Sequence, residues 1–139
     1  MQSHLIYWPV LVQILIPIVV LLLNARRKSV DVKAGSVDLK KAAIDNEAWS
    51  LPVVLTSKNL ANQFQIPVLF YVTCLVLAAI DGVTIYTLSA AWLFVVSRLV
   101  HAWTHVTSNN ISVRMPTFIV GVLLLVVLLV LAMMTLAAR

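Results

Sequence analysis

The chain has 139 residues, of which 62% are hydrophobic and only 11% charged. A water-soluble domain is close to half apolar and a quarter charged, so this balance excludes that class. The net charge of +5 lies mostly between apolar stretches, a distribution that reports membrane orientation and not a nucleic-acid surface.

Four apolar segments of about twenty residues or more set the expected fold: an all-α, integral-membrane four-helix bundle in a single domain covering residues 1–139. The first helix is expected at 5–24, with Tyr7 and Trp8 at the interface and Pro17 kinking its middle. No basic region precedes it and no small-residue cleavage pattern follows, so it reads as a retained helix. Residues 25–52 are expected as a polar loop beginning with Arg26-Arg27-Lys28, with a short surface helix near Leu39 and Trp49 at the return to the interface. The second helix is expected at 53–80, kinked by Pro67, and Asp81-Gly82 is a tight-turn signal leading to a third helix at 83–106. A loop at 107–116 precedes a fourth helix at 117–138, with Pro116 suited to its first turn. The single cysteine, Cys74, excludes an intrachain disulfide and reads as a packing residue.

Basic residues concentrate in 25–52 and 107–116. By the positive-inside rule both loops face the cytosol and both termini lie outside, with Arg139 the one dissenting charge. The expected location is a membrane of bacterial inner-membrane type, with the lipid bilayer as the first partner.

Polar residues inside such helices carry the functional signal. Arg98, His101 and His105 recur at i, i+3 and i+7 and share one helix face. Lys58, Asn62 and Gln65, at i, i+4 and i+7, likewise share one face of the second helix. The two helices run antiparallel, so both sets meet in the cytosolic half of the membrane. Arg98 has no nearby acid: Asp81 is roughly 25 Å away along the helical rise. The cluster therefore reads either as interhelical polar glue or as a ligand site. His101 and His105 are spaced like two metal ligands, but no Asp, Glu or Cys completes a set at that depth, so no metal is expected. A small multidrug transporter also has four helices; it is disfavoured because the first helix carries no glutamate, only Gln13.

The stretches Asn59-Leu-Ala-Asn62-Gln-Phe-Gln-Ile-Pro67-Val-Leu-Phe-Tyr71 and Trp92-Leu-Phe-Val-Val-Ser-Arg98-Leu-Val-His101-Ala-Trp-Thr-His105 resemble the bacterial branch of the MAPEG family, the membrane-associated proteins in eicosanoid and glutathione metabolism. The resemblance implies a homotrimer with glutathione bound between subunits in the cytosolic half. It also implies a glutathione transferase or peroxidase acting on lipophilic electrophiles or hydroperoxides. Carried over position by position, it gives Lys58, Asn62, Gln65, Arg98, His101 and His105 as glutathione-binding residues. Arg114, with Arg26 and Arg27 behind it, becomes the thiolate-stabilising group. The chain departs from the family pattern at Lys58, where arginine is usual, at Gln65, where glutamate is usual, and at His105, where tyrosine is common. The first two departures support an alternative: a non-catalytic lipid-binding or scaffold protein of the same fold.

Overall fold

A computed structural model describes residues 2–138. Its described residues form helices and turns only. A 3-10 turn, Ser3–Ile6, leads into α1 (Tyr7–Lys33); α2 (Leu39–Ala42) and a second 3-10 turn (Asn46–Ala48) follow. Then come α3 (Leu51–Gln63), α4 (Ile66–Ala79), α5 (Ile85–Val106) and α6 (Ile111–Ala137). Four stretches among the described residues are long and apolar enough to cross a membrane: Ser3–Lys33, Leu51–Ala79, Ile85–Val106 and Ile111–Ala137. Arg139 lies outside the described residues.

Three boundaries differ from expectation, each for a local reason. The first helix does not end at 24. It runs through the basic cluster to Lys33, because no glycine or proline lies between Asn24 and Gly35. Gly35 has φ +63, its N–H bonds the Val32 carbonyl, and the Ser36 N–H bonds the Asp31 carbonyl, which together make a Schellman stop. The second segment is not one kinked helix. It breaks after Gln63 and restarts at Ile66 with Pro67 in the new first turn, as expected of a residue that lacks an N–H and biases its predecessor away from the helix. The fourth helix begins at Ile111, where Asn110 accepts from the Ser112 N–H, so Pro116 falls inside α6.

The expected short surface helix is present as α2, capped by Asp38, whose carboxylate accepts from the Lys40 and Lys41 N–H groups. The turn at Asp81-Gly82 is also present: Asp81 has φ +46, and Thr84 and Thr87 then form a reciprocal capping box that starts α5.

The two ends of the bundle are tied differently. At one end Arg27 on α1 donates to the Pro52 carbonyl at 2.8 Å and to the Val106 carbonyl at 2.9 Å, joining α1, α3 and α5. Asp31, buried, accepts from the Ser50 N–H and hydroxyl, both at 3.0 Å, and so caps the start of α3 from α1. At the other end Ser3 donates to Asp81 at 3.1 Å. The core between them is apolar, centred on Phe70, Cys74, Leu77, Phe94 and Leu128, with Phe70 and Phe94 stacked at 4.2 Å. α5 packs most extensively on α6. The outward faces are lined by large apolar residues such as Leu22, Leu69, Leu93 and Leu123, as a lipid-facing surface requires.

Candidate functional site

A cleft of about 450 Å³ opens between α3, α5 and α6. α3 contributes Lys58 and Asn62, α5 contributes His101 and His105, and α6 contributes Arg114, Met115 and Phe118. Among the described residues no carboxylate lines it. Five of the residues expected at the site therefore converge: Lys58, Asn62, His101, His105 and Arg114.

Each is positioned by its helix. His101 and His105 lie one turn apart, with ring centroids 5.7 Å apart and planes near perpendicular. His101 Nδ1 donates to the Arg114 carbonyl at 3.0 Å, fixing α6 against α5. Arg114 itself donates to Asn109, held at φ +51 in the loop between these helices. Asparagine tolerates that left-handed backbone better than most residues. Lys58 pairs with Glu47 at 2.7 Å, but both side chains are more than half exposed, so the pair leaves Lys58 free to exchange partners.

Arg98 is close by but not in the cleft. It is 0% exposed, one turn deeper on α5, and its guanidinium carbon lies 5.7 Å from the Phe118 ring centre. Gly121 lets α6 approach over it: a Cβ there would meet Ser97 Oγ at 3.1 Å and Arg98 Cδ at 3.4 Å. None of the three guanidinium nitrogens finds a hydrogen-bond partner among the described residues.

Three expected residues are elsewhere. Gln65 sits exposed at the break between α3 and α4, because the break destroys the i+7 phase that would have aligned it with Lys58. Arg26 and Arg27 line a separate depression of about 240 Å³ with Asp31 and Ser50, and Arg27 is spent on two carbonyls. Among the described residues no three His, Cys, Asp or Glu side chains converge as a metal site.

The structure also shows polar residues the sequence reading left aside. Gln13, Gln63 and Asn59 are buried in the bundle, and Asn59 reaches His105 Nδ1 at 3.2 Å. The signal was available: Gln13 is an isolated amide in an apolar helix, and Asn59 and Gln63 stand four residues apart on one face.

Residues 5–134 match the MAPEG family. The chain belongs to the MAPEG family. That match reaches all four spanning segments and includes every residue of the cleft. Comparison with curated proteins and with solved structures returns no match. As a MAPEG protein it is an all-helical integral membrane protein, and its polar cleft lies at the basic end of the bundle.

Proposed function

We propose that this MAPEG protein binds glutathione in the α3–α5–α6 cleft and transfers it to lipophilic electrophiles, or uses it to reduce lipid-soluble hydroperoxides. One observation carries the reading: Lys58, Asn62, His101, His105 and Arg114 converge on one cleft without a lining carboxylate among the described residues. Such a surface suits an anionic ligand with several hydrogen-bonding groups, and its volume falls within the range of about 300–1,000 Å³ usual for small-molecule sites.

Lys58 and His105 hold carboxylates, and Asn62 supplies an amide for the peptide backbone. Arg114 stabilises the thiolate. A free thiol with a pKa of about 8.5 is only about 3% ionised at pH 7. A neighbouring arginine that lowers it by about two units raises the thiolate to roughly three quarters. The thiol proton leaves to solvent, the sulfur electron pair forms the new bond to carbon, and the leaving group departs with its own pair. In the reductive reaction two glutathiones become a disulfide while a hydroperoxide becomes an alcohol and water. The electrophile enters sideways from the bilayer past Met115 and Phe118. The assembly is a homotrimer in which a neighbour's Arg26 completes each site. The basic loops face the cytosol of a bacterial inner membrane.

Titration of the detergent-purified protein with glutathione, followed by ultraviolet thiolate absorbance, tests the reading. A saturable thiolate signal is expected, and Arg114→Ala abolishes it while binding by calorimetry persists. Absence of both signal and binding in the wild type overturns the proposal. The second reading, a non-catalytic lipid-binding or scaffold protein, is favoured by one observation: Arg114 is already engaged by Asn109. The absence of both thiolate signal and glutathione binding would support it.

A further inference from the structure

The two imidazoles of the cleft are held by groups of opposite kind. His101 Nδ1 faces the Arg114 carbonyl at 3.0 Å. A carbonyl only accepts, so Nδ1 carries the proton, and in the neutral ring Nε2 is an acceptor. That Nε2 is buried and meets no donor among the described residues.

His105 meets an amide instead. Asn59 Nδ2 lies 3.2 Å from His105 Nδ1. The Asn59 carbonyl oxygen is already taken by Gln63 Nε2 at 3.2 Å, and the Gln63 oxygen faces Gln13 Nε2 at 3.5 Å. These three amides are buried, at 0%, 1% and 0% exposure for Asn59, Gln63 and Gln13. Each amide has one donating and one accepting end, so the relay has a single polarity from α1 to α5, and reversing one member requires reversing all. Its polarity places a donor on His105 Nδ1 and leaves the proton on Nε2.

We propose that Gln13, Gln63 and Asn59 are positioning residues that hold His105 as its Nε2–H tautomer beside a His101 held as its Nδ1–H tautomer, so that His105 offers the cleft a hydrogen-bond donor while the acceptor nitrogen of His101 stays buried behind it. The donor suits a carboxylate. The tautomers stand on the hydrogen bonds alone; the ligand role rests on the glutathione reading.

Nitrogen-15 NMR of histidine-labelled protein in detergent at neutral pH reads both rings, with His4→Gln removing the third histidine. Expected are a protonated Nε2 with a bare Nδ1 for His105, and the reverse for His101. His105 protonated on Nδ1, or exchanging freely between tautomers, overturns the proposal. Asn59→Asp replaces the donor with a pure acceptor of the same shape, so it is expected to move the His105 proton to Nδ1 and leave His101 unchanged. Should that variant fail to fold, Gln63→Leu frees the Asn59 amide and is expected to turn His105 into a mixture. Unmoved His105 resonances in a folded variant overturn the positioning role. Glutathione is expected to shift both histidines, and loss of the tautomer lock to weaken its binding several-fold. Assigned tautomers without any glutathione binding would remove the ligand role and the proposed function, while the relay itself stands.

Discussion

Arg98 is the costliest side chain in the bundle. A guanidinium at depth in a membrane helix is unfavourable by about 2.5 kcal/mol or more on insertion scales, and here all three of its nitrogens lack partners among the described residues. Its company is an aromatic face, Phe118, and the small surface of Gly121. A cation against an aromatic ring recovers only about 0.5–2 kcal/mol. Replacing a buried charge with a well-packed apolar side chain is often neutral or stabilising, by about 1–4 kcal/mol. Arg98→Met is therefore expected to raise the melting temperature of unliganded protein in detergent by a few degrees. A lowered melting temperature would show instead that the guanidinium is satisfied inside the bundle, by an ordered water or a bound anion. Arg98 was legible in the sequence as an anomaly, since no acid lay within reach. Its burial was not legible, because only the packing of α6 over Gly121 seals it.

The second apolar segment shows what periodicity alone misses at the level of elements. Spacing put Lys58, Asn62 and Gln65 on one face, and for the first two the cleft agrees. The break at Phe64-Gln65 rephases everything after it, so Gln65 leaves the cleft, whereas Gln63, still in α3 and one turn on from Asn59, is buried on the inner face. A proline in a sequence warns of a kink but does not say whether the helix bends or stops. The joint between α1 and α3 was less legible still, because it is made by Asp31, a residue that reads as one charge in a polar loop. In the structure its buried carboxylate accepts both the N–H and the hydroxyl of Ser50, whose own side chain makes no cap to α3. Hydrogen bonds to a charged group contribute about 1.5–3 kcal/mol each, and a deserted buried donor adds its own penalty. Asp31→Ala is expected to lower the melting temperature by several degrees and Asp31→Asn by less, with the cleft's ligand binding largely kept. Equal melting temperatures for all three proteins would assign the joint to Arg27 alone.

For the whole molecule, topology and chemistry depend on each other. The cross-end bonds place Pro52 and Val106 beside Arg27, and Ser3 beside Asp81, so the basic loops share one side of the bundle and the start of the chain lies on the other. The number of spans and the side-to-side alternation were readable from hydropathy, because the bilayer imposes both on any sequence. In the proposed orientation the basic residues mark the cytosolic side, and the cleft lies at that same end, lined by Lys58 and Arg114. Under the proposed function orientation decides supply: the cytosol keeps thiols reduced through glutathione, whereas the opposite side of the proposed bacterial inner membrane is oxidising. Single cysteines in a Cys74→Ser background test this with a membrane-impermeant maleimide. Ser3→Cys is expected to react on intact cells, and Ser36→Cys and Ser108→Cys only after permeabilisation. The opposite pattern would turn the cleft toward a compartment without reduced glutathione, and the conjugating activity would lose its thiol donor however well the side chains are arranged.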